Sequence, residues 1–194
     1  MSSRKLRIVG IGGSLGTRPS TSLAALKVAL AACERAGADT VCFDIREMHL
    51  PFFRHEDPAP VPAGVQHYLD TVHRADALIW SSPLYQGTVS GAFKNAIDWL
   101  EMLSQHEPPY LHDKVVGLIG AAAGIQALQV INTMEFAVRA LRGMTVPMVV
   151  TANRSWASFE GEALKDEKLG KALELLGTEI VRKASLIAGI HSND

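Results

Sequence analysis

The chain has 194 residues, of which 47% are hydrophobic, and its 19 basic and 20 acidic side chains give a formal net charge of -1. That length fits one domain with a sizeable core, since domains commonly contain about 100–200 residues. The balanced charge gives no bulk reason to expect binding to nucleic acid or to an anionic membrane surface. We therefore predict a single domain over residues 1–194, in which any anion site is built locally.

The amino terminus has none of the features of a targeting segment. MSSRKLRIVGIGG is apolar over too short a stretch, and no run in the chain approaches about 18–20 apolar residues. We predict a cytoplasmic protein that does not bind membranes. Cys33 and Cys42 lack CxxC or metal-like spacing, so both are predicted to be small buried hydrophobic residues.

The first part of the chain predicts a strand, a glycine-rich turn and a helix. Lys5–Ile11 is short, β-branched and followed by glycines, which is typical of a buried strand. The apolar residues that follow recur at helical spacing: Leu23, Leu26, Leu30 and Cys33. Gly37 ends this helix, and Thr40–Phe43 predicts a second strand.

The rest of the chain continues the alternation of strands and helices. Residues 45–62 contain four prolines and predict a long irregular loop. Further strands are predicted at Ala77–Trp80, Val115–Ile119 and Pro147–Val150, with helices over about 65–72, 92–103, 125–141 and 169–187. This order predicts a parallel α/β sheet covered on both faces, with ligands at the carboxyl ends of its strands. Three loops should meet there: residues 12–22, 82–89 and 120–126.

The first of these loops, GGSLGTRPSTSLAAL, predicts a phosphate site. Glycines let the backbone approach a ligand closely, and the start of the next helix offers unpaired N–H groups. Hydroxyl donors and one cation are available: Ser14, Ser20, Thr21, Ser22 and Arg18. Ser20 is also a candidate N-cap of the helix. GxxxxGK[ST] and the full GxGxxG pattern are both absent, which favours a terminal phosphate held end-on, such as that of riboflavin phosphate.

The second loop, SPLYQGTVS, predicts a site for a planar ring. Pro83 and Gly87 shape the backbone, and Tyr85 offers an aromatic surface. The longer stretch PLYQGTVSGAFKNAIDW resembles the signature of the NAD(P)H-dependent flavin mononucleotide (FMN) reductase family. This flavodoxin-like group includes flavin, quinone, azo-dye and chromate reductases, and the resemblance extends over roughly residues 5–150.

The resemblance implies a flavodoxin-like three-layer sandwich with a five-stranded parallel sheet of order 2-1-3-4-5. It implies that Ser14 holds the FMN phosphate, whereas position 16 is Gly where many members have Arg, so that Arg18 is the nearest arginine. The second loop would hold the isoalloxazine through the backbone of Pro83, Leu84, Tyr85, Gln86 and Gly87. The third would contribute Ala121, Ala122, Ala123 and Gly124, without the hydroxyls that relatives more often carry.

The function implied is hydride transfer from NADPH or NADH to FMN, with no acidic or basic catalytic residue required. FMN could be a dissociable substrate supplied, once reduced, to a partner monooxygenase, which the PLYQGT stretch slightly favours. It could instead stay tightly bound and reduce quinones, azo dyes or metal oxyanions. A non-enzymatic flavodoxin-like electron carrier is a third possibility, but flavodoxins tend to be strongly acidic and this chain is nearly neutral.

A homodimer or homotetramer is also predicted. The third helix is apolar around more than one face, at Phe93, Ile97, Trp99, Leu100 and Leu103, and the family usually forms dimers or tetramers.

Other polar and aromatic residues have simpler interpretations. Lys94 and Asp98 are predicted to form an i,i+4 ion pair, with Glu101 in helix or subunit contacts. The histidines lack metal-site spacing, and only the proline-rich loop clusters His55, Glu56 and Asp57. Trp80 and Trp99 are predicted to belong to the core or an interface, whereas Phe52 and Phe53 stay open between a structural and a functional role.

Overall fold

The structure is a computed structural model that describes residues 4–16, 19–55 and 60–191. The strands within these ranges are β1 (Arg7–Gly12), β2 (Asp39–Asp44), β3 (Ala77–Pro83), β4 (Val115–Ala122), β5 (Met144–Asn153), β6 (Phe159–Glu160) and β7 (Ala163–Leu164). The helices are α1 (Thr21–Arg35), α2 (Ile45–Met48), α3 (Ala63–His73), α4 (Gly91–Asp98), a 3₁₀ helix (Trp99–Leu103), α5 (Ala127–Ala140), α6 (Ser155–Ser158) and α7 (Glu167–His191). None of the helices within the described residues combines the length and apolar composition that crossing a membrane needs.

The main sheet is parallel and has the strand order β2-β1-β3-β4-β5, as predicted. β1 lies between β2 and β3, so the chain leaves β1 in one direction to form β2 and then crosses back to form β3. This reversal brings the carboxyl ends of β1 and β3 side by side. The predicted flavodoxin-like α/β fold is therefore confirmed, and its switch point lies at the predicted ligand edge.

Helices cover both faces of the sheet and produce two hydrophobic cores. One core joins α1 and α7 to the sheet, with Leu26, Leu173 and Ile180 among its buried residues. The other joins α3, α4 and α5 to the opposite face, with Trp80 and Phe93 in edge-to-face contact at 5.9 Å between ring centroids. The inner strands are buried on both faces, because a parallel sheet with helical crossovers exposes neither face.

The third predicted helix differs from the expectation in two ways. It is an α-helix only as far as Asp98 and continues as the 3₁₀ helix Trp99–Leu103. Its apolar residues also face the core of this chain, because all five are buried: Phe93, Ile97, Trp99, Leu100 and Leu103. The apolar excess that suggested a subunit contact is therefore used for packing within the chain, and that reason for predicting an oligomer was wrong.

Short local elements were missed in the sequence. The predicted irregular loop begins with α2, whose N-cap Asp44 accepts a hydrogen bond from the Arg46 N–H at 3.0 Å. The β6–β7 hairpin turns at Gly161, whose φ is +62°. Elements of two to four residues are too short to produce a periodic pattern, so hydrophobic spacing cannot detect them.

The two cysteines have different environments. Cys33 is buried in α1, and its Sγ donates a hydrogen bond to the Gly177 carbonyl of α7 at 3.4 Å. Cys42 is exposed, which contradicts the prediction that both are buried. The reason is that β2 is the edge strand of the sheet, where neighbouring Val41 is also 42% exposed.

Candidate functional site

The predicted loops meet at one edge of the sheet. The strand register pairs Gly12 with Ser81 and Pro83 with Ala121, so the ends of β1, β3 and β4 lie side by side. β5 extends this edge, because Ala122 pairs with Asn153. We call this the carboxyl edge; it contains the loops after all four of these strands.

The first loop contains a largely buried serine at this edge. Ser14 is only 8% exposed, and its hydroxyl makes no hydrogen bond to any residue that the structure describes. Gly13 has a φ of +102°, and a Cβ there would lie 2.9 Å from the Asp44 Oδ1. Glycine is therefore required at position 13 by both conformation and space. Arg18 lies outside the described residues.

The start of α1 has a network of hydroxyls. Ser20 is the N-cap, accepting a hydrogen bond from the Leu23 N–H at 3.3 Å, and its Oγ lies 2.9 Å from the Ser22 Oγ. This pair shares one hydroxyl hydrogen internally, so the second hydrogen remains available to an acceptor. Thr21 differs, because its hydroxyl donates to the Ser155 Oγ at 3.1 Å. The N–H groups of the first helical turn have no partner within the helix.

The second loop is a tight turn. Tyr85 and Thr88 exchange backbone hydrogen bonds at 2.9 and 3.1 Å, and Gln86 and Gly87 between them have φ values of 49° and 86°. Two central residues with positive φ are typical of a type I′ turn. The Leu84 N–H donates to the Ala121 carbonyl at 2.7 Å. The N–H groups of Leu84 and Tyr85 are thus engaged, and those of Gln86 and Gly87 make no hydrogen bond to the described residues.

Tyr85 has a large exposed surface next to this turn, with 48% of the residue accessible. On the other side of the turn, the Thr88 and Thr133 hydroxyls lie 3.1 Å apart and connect it to α5. The turn is therefore supported from α5 while its aromatic residue stays accessible.

The third loop is small and is held by residues after β5. Ala121 and Ala122 are buried, whereas Ala123 and Gly124 are exposed. The Gly124 carbonyl accepts a hydrogen bond from the Arg154 N–H at 2.8 Å. Asn153 Oδ1 accepts one from the Ala127 N–H at 3.0 Å and so caps α5, whose own N-cap residue makes no side-chain hydrogen bond.

Sequence reasoning missed Asn153, Ser155 and Asp44, and it considered Arg154 only as a contact for the 2′-phosphate of NADPH. Asn153 ends β5 as Asp44 ends β2, and Ser155 lies two residues beyond Asn153; all three lie against the predicted loops or the helices that follow them. The available signal was their position, because polar residues directly after a strand of a parallel sheet lie at its carboxyl edge.

The polar residues of α4 lie outside this arrangement. Lys94 and Asp98 form the predicted i,i+4 ion pair, and Glu101 accepts hydrogen bonds from the Tyr110 hydroxyl at 3.3 and 3.2 Å. Trp80 and Trp99 are buried, which confirms their core role. Glu56 and Asp57 lie outside the described residues, within which no three His, Cys, Asp or Glu side chains are grouped as a metal site requires.

Phe52 and Phe53 have opposite environments. Phe53 packs edge-to-face on Trp99 at 5.3 Å between ring centroids, and its N–H donates to the Asn95 Oδ1 at 2.9 Å. Phe52 is 85% exposed. Phe53 is therefore structural, whereas the role of Phe52 stays open.

The sheet order and the helices on both faces define the chain as a flavodoxin-like α/β protein. A family model described as NADPH-dependent FMN reductase matches residues 6–157. The chain belongs to the NADPH-dependent FMN reductase family. This confirms the predicted family and, at the level of the family, the predicted class of NAD(P)H-dependent flavin oxidoreductases with FMN as cofactor.

Named relatives are similar over part of their length. An FMN-dependent NADPH-azoreductase of Staphylococcus haemolyticus is 32% identical over 95 residues, which are 49% of this chain and 47% of that protein. An NADPH-dependent FMN reductase ArsH of Acidithiobacillus ferrooxidans is 28% identical over 125 residues, which are 64% of this chain and 50% of that protein. The matched stretch thus spans about half the length of these relatives.

Solved structures resemble the whole fold. FerB from Paracoccus denitrificans, described as a flavoenzyme NAD(P)H:(acceptor) oxidoreductase, superposes with a TM-score of 0.75 at 21% identity and covers 93% of this chain and 97% of its own. RosB with a bound riboflavin-phosphate intermediate superposes with a TM-score of 0.76 at 16% identity and covers 95% and 81%. At these identities the likeness shows the shared fold alone.

Proposed function

We propose that this protein is an NAD(P)H-dependent FMN reductase whose FMN phosphate binds between Ser14 and the first turn of α1. The observation that carries the proposal is Ser14, a residue only 8% exposed whose hydroxyl has no hydrogen-bond partner among the described residues. A hydroxyl in a largely buried residue that has no protein partner is available to a ligand or water. The neighbouring helix start adds N–H groups and a partial positive charge, which suits a phosphate.

The remaining predicted residues fit the ring of FMN. The Gln86 and Gly87 N–H groups are free of partners within the described chain, and Tyr85 is exposed beside them. Ala122, Ala123 and Gly124 offer little bulk, so backbone and methyl groups would line the other side. When bound, FMN supplies the chemistry, because it accepts hydride from a reduced nicotinamide and passes electrons to an acceptor.

The residues of this chain would bind FMN and the nicotinamide and orient the two rings. Backbone N–H groups directed at the pyrimidine side of the ring would stabilise negative charge that develops on reduction. The alanine and glycine loop would leave room for the nicotinamide to lie against the ring. No protein acid or base is required for this transfer.

Equilibrium titration tests the proposed site. The purified protein is titrated with FMN and with riboflavin, following flavin fluorescence, and then supplied with NADPH or NADH under anaerobic conditions. We expect FMN to bind more tightly than riboflavin and to be reduced. Equal affinity for FMN and riboflavin would contradict the phosphate site, and FMN binding without any NAD(P)H oxidation would favour the electron carrier.

Within this function we propose that FMN exchanges as a substrate and that the reduced flavin serves a partner monooxygenase. The azoreductase names among the relatives favour a second candidate, in which FMN stays bound and reduces a small-molecule acceptor. Gel filtration followed by absorption spectroscopy separates the two. One FMN retained per subunit, together with turnover of quinone or azo substrate, would contradict the exchange model. The cytoplasmic location and the single domain stay predictions.

We propose further that the protein is a homodimer or homotetramer in which a second copy covers the exposed face of α5. Leu128 and Phe136 are 54% and 65% exposed on this helix. Glu135 and Arg139 lie beside Phe136, so the face carries both charges and can pair with itself across a twofold axis. Sedimentation of wild type and of Phe136→Ser tests this: a wild-type monomer at micromolar concentration would contradict it.

A further inference from the structure

The turn after β5 reaches the start of α1 from a side that no sequence motif indicated. Ser155 is 8% exposed, and its Oγ accepts the hydrogen bond from Thr21 Oγ1 at 3.1 Å. The neighbouring Arg154 is held by its own N–H, which donates to the Gly124 carbonyl at 2.8 Å. The backbone at Arg154 is therefore fixed between the first and third loops.

The Arg154 side chain is available to a ligand. It is exposed, and its guanidinium makes no ion pair or hydrogen bond with any residue that the structure describes. Its backbone is left-handed, with a φ of 49° and a ψ of 46°, which is uncommon for a residue other than glycine. Glycine would adopt this backbone conformation at a lower energetic cost than arginine does.

Within the described residues the first loop contains no lysine or arginine; Arg18, the cation that the sequence predicts for it, lies outside them. Position 16 is glycine, and a Cβ there would lie 3.6 Å from the Ser14 Oγ. On the other side, Asp44 brings a carboxylate next to Gly13. A phosphate dianion at this place would meet hydroxyls and N–H groups, and a cation that reaches it from another loop would strengthen its binding.

We propose that Arg154 binds the 5′-phosphate of FMN from the β5 side, with Ser155 positioning it through Thr21. The inference rests on the proposed function, because it takes the phosphate to lie at the first turn of α1. A guanidinium supplies charge-assisted hydrogen bonds in a fork that matches phosphate oxygens. This cation follows β5, which lies three positions away from β1 in the sheet.

The test compares Arg154→Gln, Arg154→Lys and Arg142→Gln by titration with FMN and riboflavin. Arg142 is a matched control, because it is also exposed and left-handed, with a φ of 64°, but lies at the opposite edge of the sheet, just before β5. We expect Arg154→Gln to weaken FMN binding about tenfold and to leave riboflavin binding unchanged within about twofold. Arg154→Lys should recover part of the loss, and Arg142→Gln should bind FMN as wild type does.

Other outcomes overturn the proposal. An equal loss of FMN and riboflavin affinity would assign Arg154 a structural role, and an equal loss in Arg142→Gln would assign the effect to net charge. Unchanged FMN affinity with a raised KM for NADPH, but not for NADH, would assign Arg154 to the 2′-phosphate.

Two further variants separate this proposal from the proposed function and from misfolding. Arg154→Gly suits the left-handed backbone, so its Tm should equal or exceed that of wild type while FMN binding weakens. Ser14→Ala reports on the phosphate site itself. If Ser14→Ala weakens FMN binding and Arg154→Gln does not, the Arg154 proposal alone is wrong; if neither does, the proposed phosphate site is wrong as well.

Discussion

The two edges of the sheet use polar groups in opposite ways. At the amino edge, where the strands begin, Asp76 accepts two hydrogen bonds from Arg4, at 2.8 and 2.6 Å, and one from the Arg7 N–H at 2.8 Å. Lys114 is buried there and donates to the carbonyls of His73 and Ala75 at 2.9 and 2.7 Å. At the carboxyl edge, Ser14 and Arg154 have no such partners among the described residues.

The paired groups at the amino edge contribute to stability, whereas the unpaired groups at the carboxyl edge can contribute to ligand binding. Burial opposes ionisation of Asp76, but the hydrogen bonds from Arg4 and Arg7 and the charges of Arg4 and Lys114 outweigh it and lower the pKa of this carboxyl. Groups paired in this way have no capacity left for a ligand. The Ser14 hydroxyl and the Arg154 guanidinium at the carboxyl edge have no such partners within the described residues and stay available to a ligand.

The largest effect is expected at the amino edge. Asp76→Ala should lower the free energy of unfolding by about 3 kcal/mol, because it removes an opposite charge that acts on the buried Lys114 and removes the acceptor of Arg4 and Arg7. Asp39→Ala is the control: its salt bridge to Lys5 is exposed, and its loss should cost less than about 0.5 kcal/mol. Urea denaturation measures both. If Asp76→Ala also loses FMN affinity under conditions in which it is folded, the amino edge contributes to binding as well as to stability.

The next largest effect is expected at the carboxyl edge, where Ser14→Ala should change FMN affinity but not the stability of the protein. Ser14→Ala should weaken FMN binding by about 1.5–3 kcal/mol, since it removes a hydroxyl donor to a charged phosphate, and should leave riboflavin binding unchanged. The free energy of unfolding should change by less than about 0.5 kcal/mol, because the hydroxyl has no described partner to lose. Ser20→Ala is the contrast, since loss of the α1 cap should also cost about 1 kcal/mol of stability. Flavin fluorescence titration and urea denaturation measure the two quantities, and a purely destabilising Ser14→Ala would reverse the assignment.

A smaller effect is expected in the turn at Gly87. Gly87→Ala should cost about 1–2 kcal/mol of stability, because its φ of 86° places an alanine in a left-handed conformation. Gly91→Ala is the control, since Gly91 begins α4 with an ordinary φ and no atom within 4 Å of a new Cβ, and it should be neutral or slightly stabilising. Thermal unfolding compares the two. If Gly87→Ala unfolds as wild type does, the turn is not strained in the way its backbone indicates.

The fold was largely predictable because its signals are local. Each buried strand is a short apolar run, the α7 stripe at Leu169, Leu173 and Ile180 repeats at helical spacing, and the resemblance implied the strand order. The contacts that complete the site are not local. Asn153 caps α5 from 26 residues further along the chain, and Thr21 reaches Ser155 across 134 residues. No pattern in one sequence encodes such pairs, which depend on which loops the sheet brings together.

The sequence also did not predict which individual apolar residues are exposed. Cys42 and the apolar residues of α4 were assigned from composition, yet edge position exposes the first and core position buries the others. Periodicity reports that a residue is apolar on a given face. Whether another helix or strand covers that face depends on how the helices and the sheet pack together.

The smallest effect concerns pH and returns to the amino edge. Burial, the nearby His106 ring at 4.9 Å and the charges of Lys114 and Arg74 lower the pKa of His73 despite the opposing charge of Asp70. Its Nδ1 is buried without a hydrogen-bond partner within the described residues, which suits a neutral ring. Because the folded pKa lies below the unfolded value of about 6.5, the unfolded state binds more protons as the pH falls below that value.

Wild-type stability should therefore decrease as the pH falls from about 6.5 toward the folded pKa of His73 and then level off for this group. Tm measured between pH 8 and pH 5 should fall less in His73→Gln than in wild type, with His106→Gln intermediate because it removes only one of the causes. The ratio of FMN to riboflavin affinity should be the same in His73→Gln and wild type at each pH. A change in that ratio would mean that the two edges are coupled, because protonation at the amino edge would then act on a phosphate bound at the far ends of the same strands.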